Sequence, residues 1–129
     1  MTQETGGFAA FNLNPNILAA VIATGYEEPS AIQQQSIPII MAGHDMIGQA
    51  QTGTGKTAAF ALPILHRLSD EPRARQRRSC RVLVLSPTRE LASQIAESFR
   101  SYGRHLKLRT SVVFGGVPIH SLPTRVISR

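Results

Sequence analysis

Ala50-Gln51-Thr52-Gly53-Thr54-Gly55-Lys56-Thr57 is the stretch on which the fold turns. It lies between residues 45–49, which read as a short strand, and residues 56–67, whose pattern is helical with a bend expected at Pro63. Strand, glycine-rich loop and helix form the setting that a phosphate-binding loop requires. Gly53 and Gly55 reach backbone angles closed to other residues and so turn consecutive N–H groups toward one centre. The helix that starts near Lys56 aims the positive end of its dipole at the same point. Lys56 is then expected on the β- and γ-phosphates and the Thr57 hydroxyl on Mg²⁺. One position departs from the usual pattern, which opens with Gly where this chain has Ala50; Gly48 comes two residues too early to serve. The competing reading is a simple Gly/Thr-rich turn. The terminal Gly-Lys-Thr and the strand–helix setting argue against it.

Working outward, Asn14-Pro15 reads as a helix start, since Asn caps well and proline fits the first helical position. Ile17, Leu18, Val21 and Ile22 follow at helical spacing, and Gly25 ends the run. Residues 30–42 read as a second helix carrying Pro38. Residues 69–80 hold Arg73, Arg75, Arg77 and Arg78 and read as an exposed loop. Residues 81–86 contain the apolar run Val82-Leu83-Val84-Leu85 and are expected as a buried strand of a parallel sheet. Residues 88–102 place Leu91, Ile95 and Phe99 four apart, as an amphipathic helix stopped by Gly103. Residues 108–114 read as another strand ended by Gly115-Gly116. The alternation of strand and helix predicts an α/β fold, a parallel sheet with flanking helices.

With 129 residues the chain suits one domain, and 42% hydrophobic against 17% charged residues is globular composition. Fourteen Lys and Arg against eight Asp and Glu give a net charge of +6. That balance favours a polyanionic partner without naming one, and an ordinary basic surface fits it as well. A single cysteine, Cys80, excludes an internal disulfide or a cysteine zinc cluster. His44, His66, His105 and His120 lack ligand spacing and read as structural or surface residues. No apolar run reaches the ~18 residues of a membrane span. Residues 1–4 lack the pattern of a signal peptide, so a soluble cytoplasmic protein is the expectation.

Upstream, Gly25-Tyr26-Glu27-Glu28-Pro29-Ser30-Ala31-Ile32-Gln33 offers two readings of Gln33. Ser30 and Gln33 have the spacing of a capping box. A carboxamide also carries a donor and an acceptor, and so matches the N6/N7 edge of adenine. Spacing leaves both roles open.

Taken together these stretches resemble the DEAD-box ATP-dependent RNA helicase family. Gly-Tyr-x-x-Pro-Ser-x-Ile-Gln resembles the family's Q motif. Residues 50–57 are similar to its motif I, including the opening Ala. Pro87-Thr88-Arg89-Glu90-Leu91-Ala92 resembles motif Ia, and Gly115-Gly116 the GG motif. The resemblance implies the N-terminal part of a RecA-like P-loop NTPase domain over residues 8–117, incomplete, preceded by a flexible tail at 1–7. It implies ATP and Mg²⁺ as cofactors and single-stranded RNA, held by its backbone, as partner. It also implies that Gln33 reads adenine with help from Tyr26 and Phe8, and that Pro87, Thr88, Arg89, Gly115 and Gly116 meet RNA. Thr88 as a helix cap and Arg89 as an added charge suit phosphate contacts on physical grounds as well.

Hydrolysis needs a carboxylate beside the metal and a positioned water. The two aspartates, Asp45 and Asp70, do not follow an apolar strand, and no Asp-Glu-Ala-Asp occurs. The expectation is therefore a fragment that binds ATP and contacts RNA without turning ATP over, and that dissolves poorly alone. Residues 118–129 match no family pattern and suggest a truncated or altered end. Two other readings remain: a non-catalytic nucleotide- or RNA-binding stub, and an unrelated P-loop NTPase such as a small kinase.

Overall fold

Asn14 shows how local chemistry starts the structure. Its side-chain oxygen accepts the Asn16 N–H at 2.8 Å, and Pro15 fills the first helical position, where its missing N–H costs nothing. The helix it opens, α1 (Pro15–Ala23), ends at Thr24 and Gly25, whose φ of +86° turns the chain away. The structure is a computed structural model that describes residues 6–71 and 79–116. A 3-10 turn, Gly7–Phe11, precedes α1; α2 (Ala31–Met41), α3 (Lys56–Asp70) and α4 (Arg89–Tyr102) follow it.

The core gathers around α3, which packs most extensively on α2 and also touches α1 and α4. Ile17 and Val21 of α1, Ile37 of α2, Leu62 and Leu65 of α3, and Ile95 and Phe99 of α4 form one buried cluster. Pro63 lies inside α3 and is fully buried, and the helix continues past it to Asp70. Thr88 caps α4 by accepting the Leu91 N–H at 3.2 Å, and Gly103 closes it. His66 is structural: its Nδ1 accepts the Asn14 N–H at 3.0 Å and ties the start of α1 to the end of α3.

The expected parallel sheet is not seen among the described residues. Segments 45–50, 82–86 and 108–114 carry no strand assignment there. The expectation of a buried strand at 81–86 is corrected by exposure: Leu83 is 74% and Leu85 84% accessible, and Ile47 reaches 94%. The reason is that helices satisfy their hydrogen bonds locally, whereas a strand needs neighbours on its edges and cover on its faces. The arginine-rich segment around Arg75 and the tail from residue 117 onward lie outside the described residues. No helix among the described residues is long and apolar enough to cross a membrane.

Tyr102 closes the core against Tyr26, with ring centroids 6.4 Å apart. Burial first, then its hydrogen bond and charge coupling with Tyr26, holds its ionisation well above the ordinary 10.0. A folded-state pKa raised above the unfolded one contributes stability that is complete below pH 10 and lost as pH climbs beyond it. Chemical denaturation across pH 9–12 should therefore show a steeper alkaline loss for the native chain than for Tyr102→Phe. Asn14→Ala should lower stability by about 1 kcal/mol in the same assay at neutral pH, through loss of the α1 cap.

Candidate nucleotide and nucleic-acid sites

Gln33 is one of two buried polar residues in the described core, at 2% exposure. A buried carboxamide must find partners, and it does. Its Oε1 accepts the Ser30 N–H at 2.9 Å, and its Nε2 donates to the Gly55 carbonyl at 3.1 Å. The Ser30 hydroxyl donates to the neighbouring Thr54 carbonyl at 2.7 Å. Two side chains at the start of α2 thus hold two successive carbonyls of the glycine-rich loop.

This has a geometric consequence. In a planar trans peptide the C=O and the following N–H point in opposite directions. With the Thr54 and Gly55 carbonyls turned to α2, the N–H groups of Gly55 and Lys56 turn away from it, outward at the head of α3. Gly53 and Gly55 take φ of +81° and +80°, which favours glycine. At Gly55 a Cβ would also run into the Gln33 amide, while at Gly53 it would meet open space. Lys56 arches back over the loop, its Nζ donating to the Ala50 carbonyl at 2.7 Å, and the Thr54 hydroxyl donates to the Gln51 carbonyl at 2.6 Å. Thr57 is half-buried in the first turn of α3, whereas Gln51, Thr52 and Lys56 are exposed. The loop is a turn that feeds a helix N-terminus, with its lysine folded onto its own backbone.

Upstream of α2 the aromatic rings form a group of their own. Phe8 is 3% exposed, with its ring centroid 6.0 Å from both Phe11 and Tyr26. Tyr26, at 40%, is the most exposed of these three rings.

A second site lies at the other end of the described chain. Arg89, the first residue of α4, donates from Nη2 to the Gly115 carbonyl at 3.0 Å. Gly116 takes φ of +74°, and a Cβ there would approach the same guanidinium to 2.8 Å. The positive φ is what favours glycine here, while the tip of the arginine could give way to a Cβ. Pro87, Thr88, Arg89 and Gly115 share a cavity of about 260 Å³ with Ala92 and Phe114. Residues far apart in sequence are therefore brought together at one helix N-terminus. From sequence, Ser30 is legible as a cap and as part of the Q-like stretch but not as a partner of the loop, and Phe114 only as the end of an expected strand. Among the described residues no group of three His, Cys, Asp or Glu side chains is placed to hold a metal. Asp70, the last residue of α3, stands about 20 Å along the helix from Lys56.

The sequence model of the DEAD/DEAH box helicase family matches residues 30–128, and the chain belongs to that family. An ATP-dependent RNA helicase DeaD from Mycobacterium tuberculosis is 48% identical over 110 residues, covering 84% of this chain and 19% of that protein. DEAD-box ATP-dependent RNA helicase 36 of Arabidopsis thaliana is 48% identical over 105 residues, covering 81% of this chain and 20% of its own length. The chain thus spans about a fifth of these relatives. Among solved structures, the RNA-helicase Prp28 from Chaetomium thermophilum bound to ADP superposes with a TM-score of 0.77 at 36% identity, over 88% of this chain and 28% of that one. The likeness extends the fold class to RNA helicase domains of the RecA-like kind, while the sheet itself is not seen among the described residues.

Gly55→Ala should cost about 1–3 kcal/mol in a urea melt, since it adds both left-handed strain and a collision with Gln33. Gly53→Ala, at a similar φ but in open space, should cost less.

Proposed function

We propose that this chain is the nucleotide-binding first part of an ATP-dependent RNA helicase, one that holds ATP and touches RNA but does not by itself hydrolyse the nucleotide. The observation that carries this is the pair of bonds from Ser30 and Gln33 to the Thr54 and Gly55 carbonyls, which leaves the loop's amides facing outward above α3. Amides at a helix N-terminus, with an ammonium within reach, suit the β- and γ-phosphates. Lys56 leaves the Ala50 carbonyl for the phosphates, exchanging a neutral acceptor for a charged one.

Mg²⁺ would arrive with the nucleotide, and Thr57 at the head of α3 is the side chain that would hold it; the ion would screen the phosphate charge. The adenine edge would meet Gln33, which must then exchange its contact with Gly55 or share it. Tyr26 would offer the exposed ring face, with Phe8 fixing it from behind. RNA phosphates would lie at the head of α4 against Thr88 and Arg89, beside Pro87, with Gly115 and Gly116 allowing the backbone to approach. Contacts to the backbone make such binding largely independent of base sequence. Duplex unwinding belongs to the whole helicase. Asp45, five residues before the loop, and Asp70, at the far end of α3, are both exposed, and among the described residues no group of three His, Cys, Asp or Glu side chains is gathered to hold a metal.

Calorimetric titration of the chain with ATP and GTP tests the reading. ATP should bind more tightly, and Gln33→Ala should narrow the gap. Lys56→Ala should weaken triphosphate binding by about tenfold or more, as expected for a lost charge-assisted contact. Equal affinity for ATP and GTP in the native chain would overturn the role given to Gln33. Triphosphate binding unchanged by Lys56→Ala would overturn the loop itself.

A further inference from the structure

A second cavity, of about 390 Å³, lies where the start of α1, the end of α3 and the turn after α4 converge. It is far from both sites above. Along α4 alone, the distance from Thr88 to the turn at His105 is about 20 Å or more.

Its chemistry is one-sided. Arg81, His105 and Lys107 line it together with Asn16, and none of its lining residues is acidic. The Arg81 guanidinium is already oriented, with Nη1 on the Leu68 carbonyl at 3.3 Å and Nη2 on the Glu71 carbonyl at 2.6 Å. Those bonds fix its plane and leave further N–H groups of the fork to donate. Lys107 is exposed and has no ion pair among the described residues. Asn14 is tied down by His66 and Ser69, which makes this wall stiff. The remaining surface is apolar, from Leu106 and Leu108.

An oriented guanidinium, a free ammonium and an imidazole beside an apolar wall match a ligand with one anionic end and one flat apolar body. We infer that this cavity binds a nucleotide unit, its phosphate on Arg81 and Lys107 and its base against Leu106 and Leu108. The unit can come from a free mononucleotide or from a strand of RNA. The site is separate from the ATP loop, so it stands or falls independently of the function proposed above.

The test is an amide-shift titration of the ¹⁵N-labelled 129-residue chain with UMP and, in a second arm, with an oligouridylate. Uridine is chosen because it lacks the adenine edge. The site predicts shifts at Asn16, Ser69 and Lys107 in at least one arm. Shifts there with UMP name a free nucleotide as a sufficient ligand. Shifts there with the oligouridylate alone name the RNA strand. Lys107→Glu, at an exposed position, should weaken the affinity read from these amides by about tenfold. Lys107→Ala should give a smaller loss in the same direction. The inference is overturned if both ligands move only the amides of residues 50–57 or 88–89, or if Lys107→Glu leaves the affinity unchanged. It is also overturned if a glutamate hexapeptide shifts these amides while neither uridine ligand does.

Discussion

The carboxamide of Gln33 is the constraint around which the described structure is arranged. It is buried, so both its ends must be satisfied within the protein or the fold bears the cost of desolvating them. Satisfying them joins the first turn of α2 to the last residue of the glycine-rich loop, across 22 positions of sequence. The Ser30 hydroxyl doubles the join. The loop is therefore held from below by its carbonyls, and peptide planarity leaves its amides pointing the other way. A single buried amide thereby links helix capping, loop shape and the direction of the anion-binding groups.

That link also bears on the two readings of Gln33. Gln33 as helix cap and Gln33 as base reader look like rival assignments when only spacing is known. In the structure the cap uses Oε1, and Nε2 reaches the loop. The residue thus stands between the helix cap and the glycine-rich loop. At the opposite end Arg89 has a comparable place, lying across the Gly115–Gly116 turn and connecting the start of α4 to the end of the following segment. Each site thus pairs a helix N-terminus with a polar side chain that crosses to a distant backbone carbonyl. The helices between them share one core around α3.

Much of the helical layer was legible because its signals are local. Asn14 and Thr88 cap where their side chains could be expected to, and Gly25 and Gly103 stop helices as their lack of a Cβ allows. Ile95 and Phe99 are buried on one face, although Leu91, the first of that series, remains 38% exposed in the first turn of α4. The sheet was not legible in the same sense. Val82-Leu83-Val84-Leu85 has the composition of a covered strand, but what covers a strand is set by residues distant in sequence. The position of Ala50 to Thr57 between an apolar segment and a helix could be read directly. The bonds that shape it could not: Lys56 to Ala50, Ser30 to Thr54 and Gln33 to Gly55 join residues for which spacing carries no signal. The burial of Phe8 behind Tyr26 belongs to the same class, since an aromatic in a short turn declares nothing about its neighbours.

Hydrogen–deuterium exchange of the chain, read by mass spectrometry with and without ATP and Mg²⁺, tests the central claim most directly. If the loop and the start of α2 are one unit, nucleotide should slow exchange in residues 50–57 and in residues 30–34 together. Protection elsewhere, with both segments exchanging as fast as in the free chain, would contradict the account.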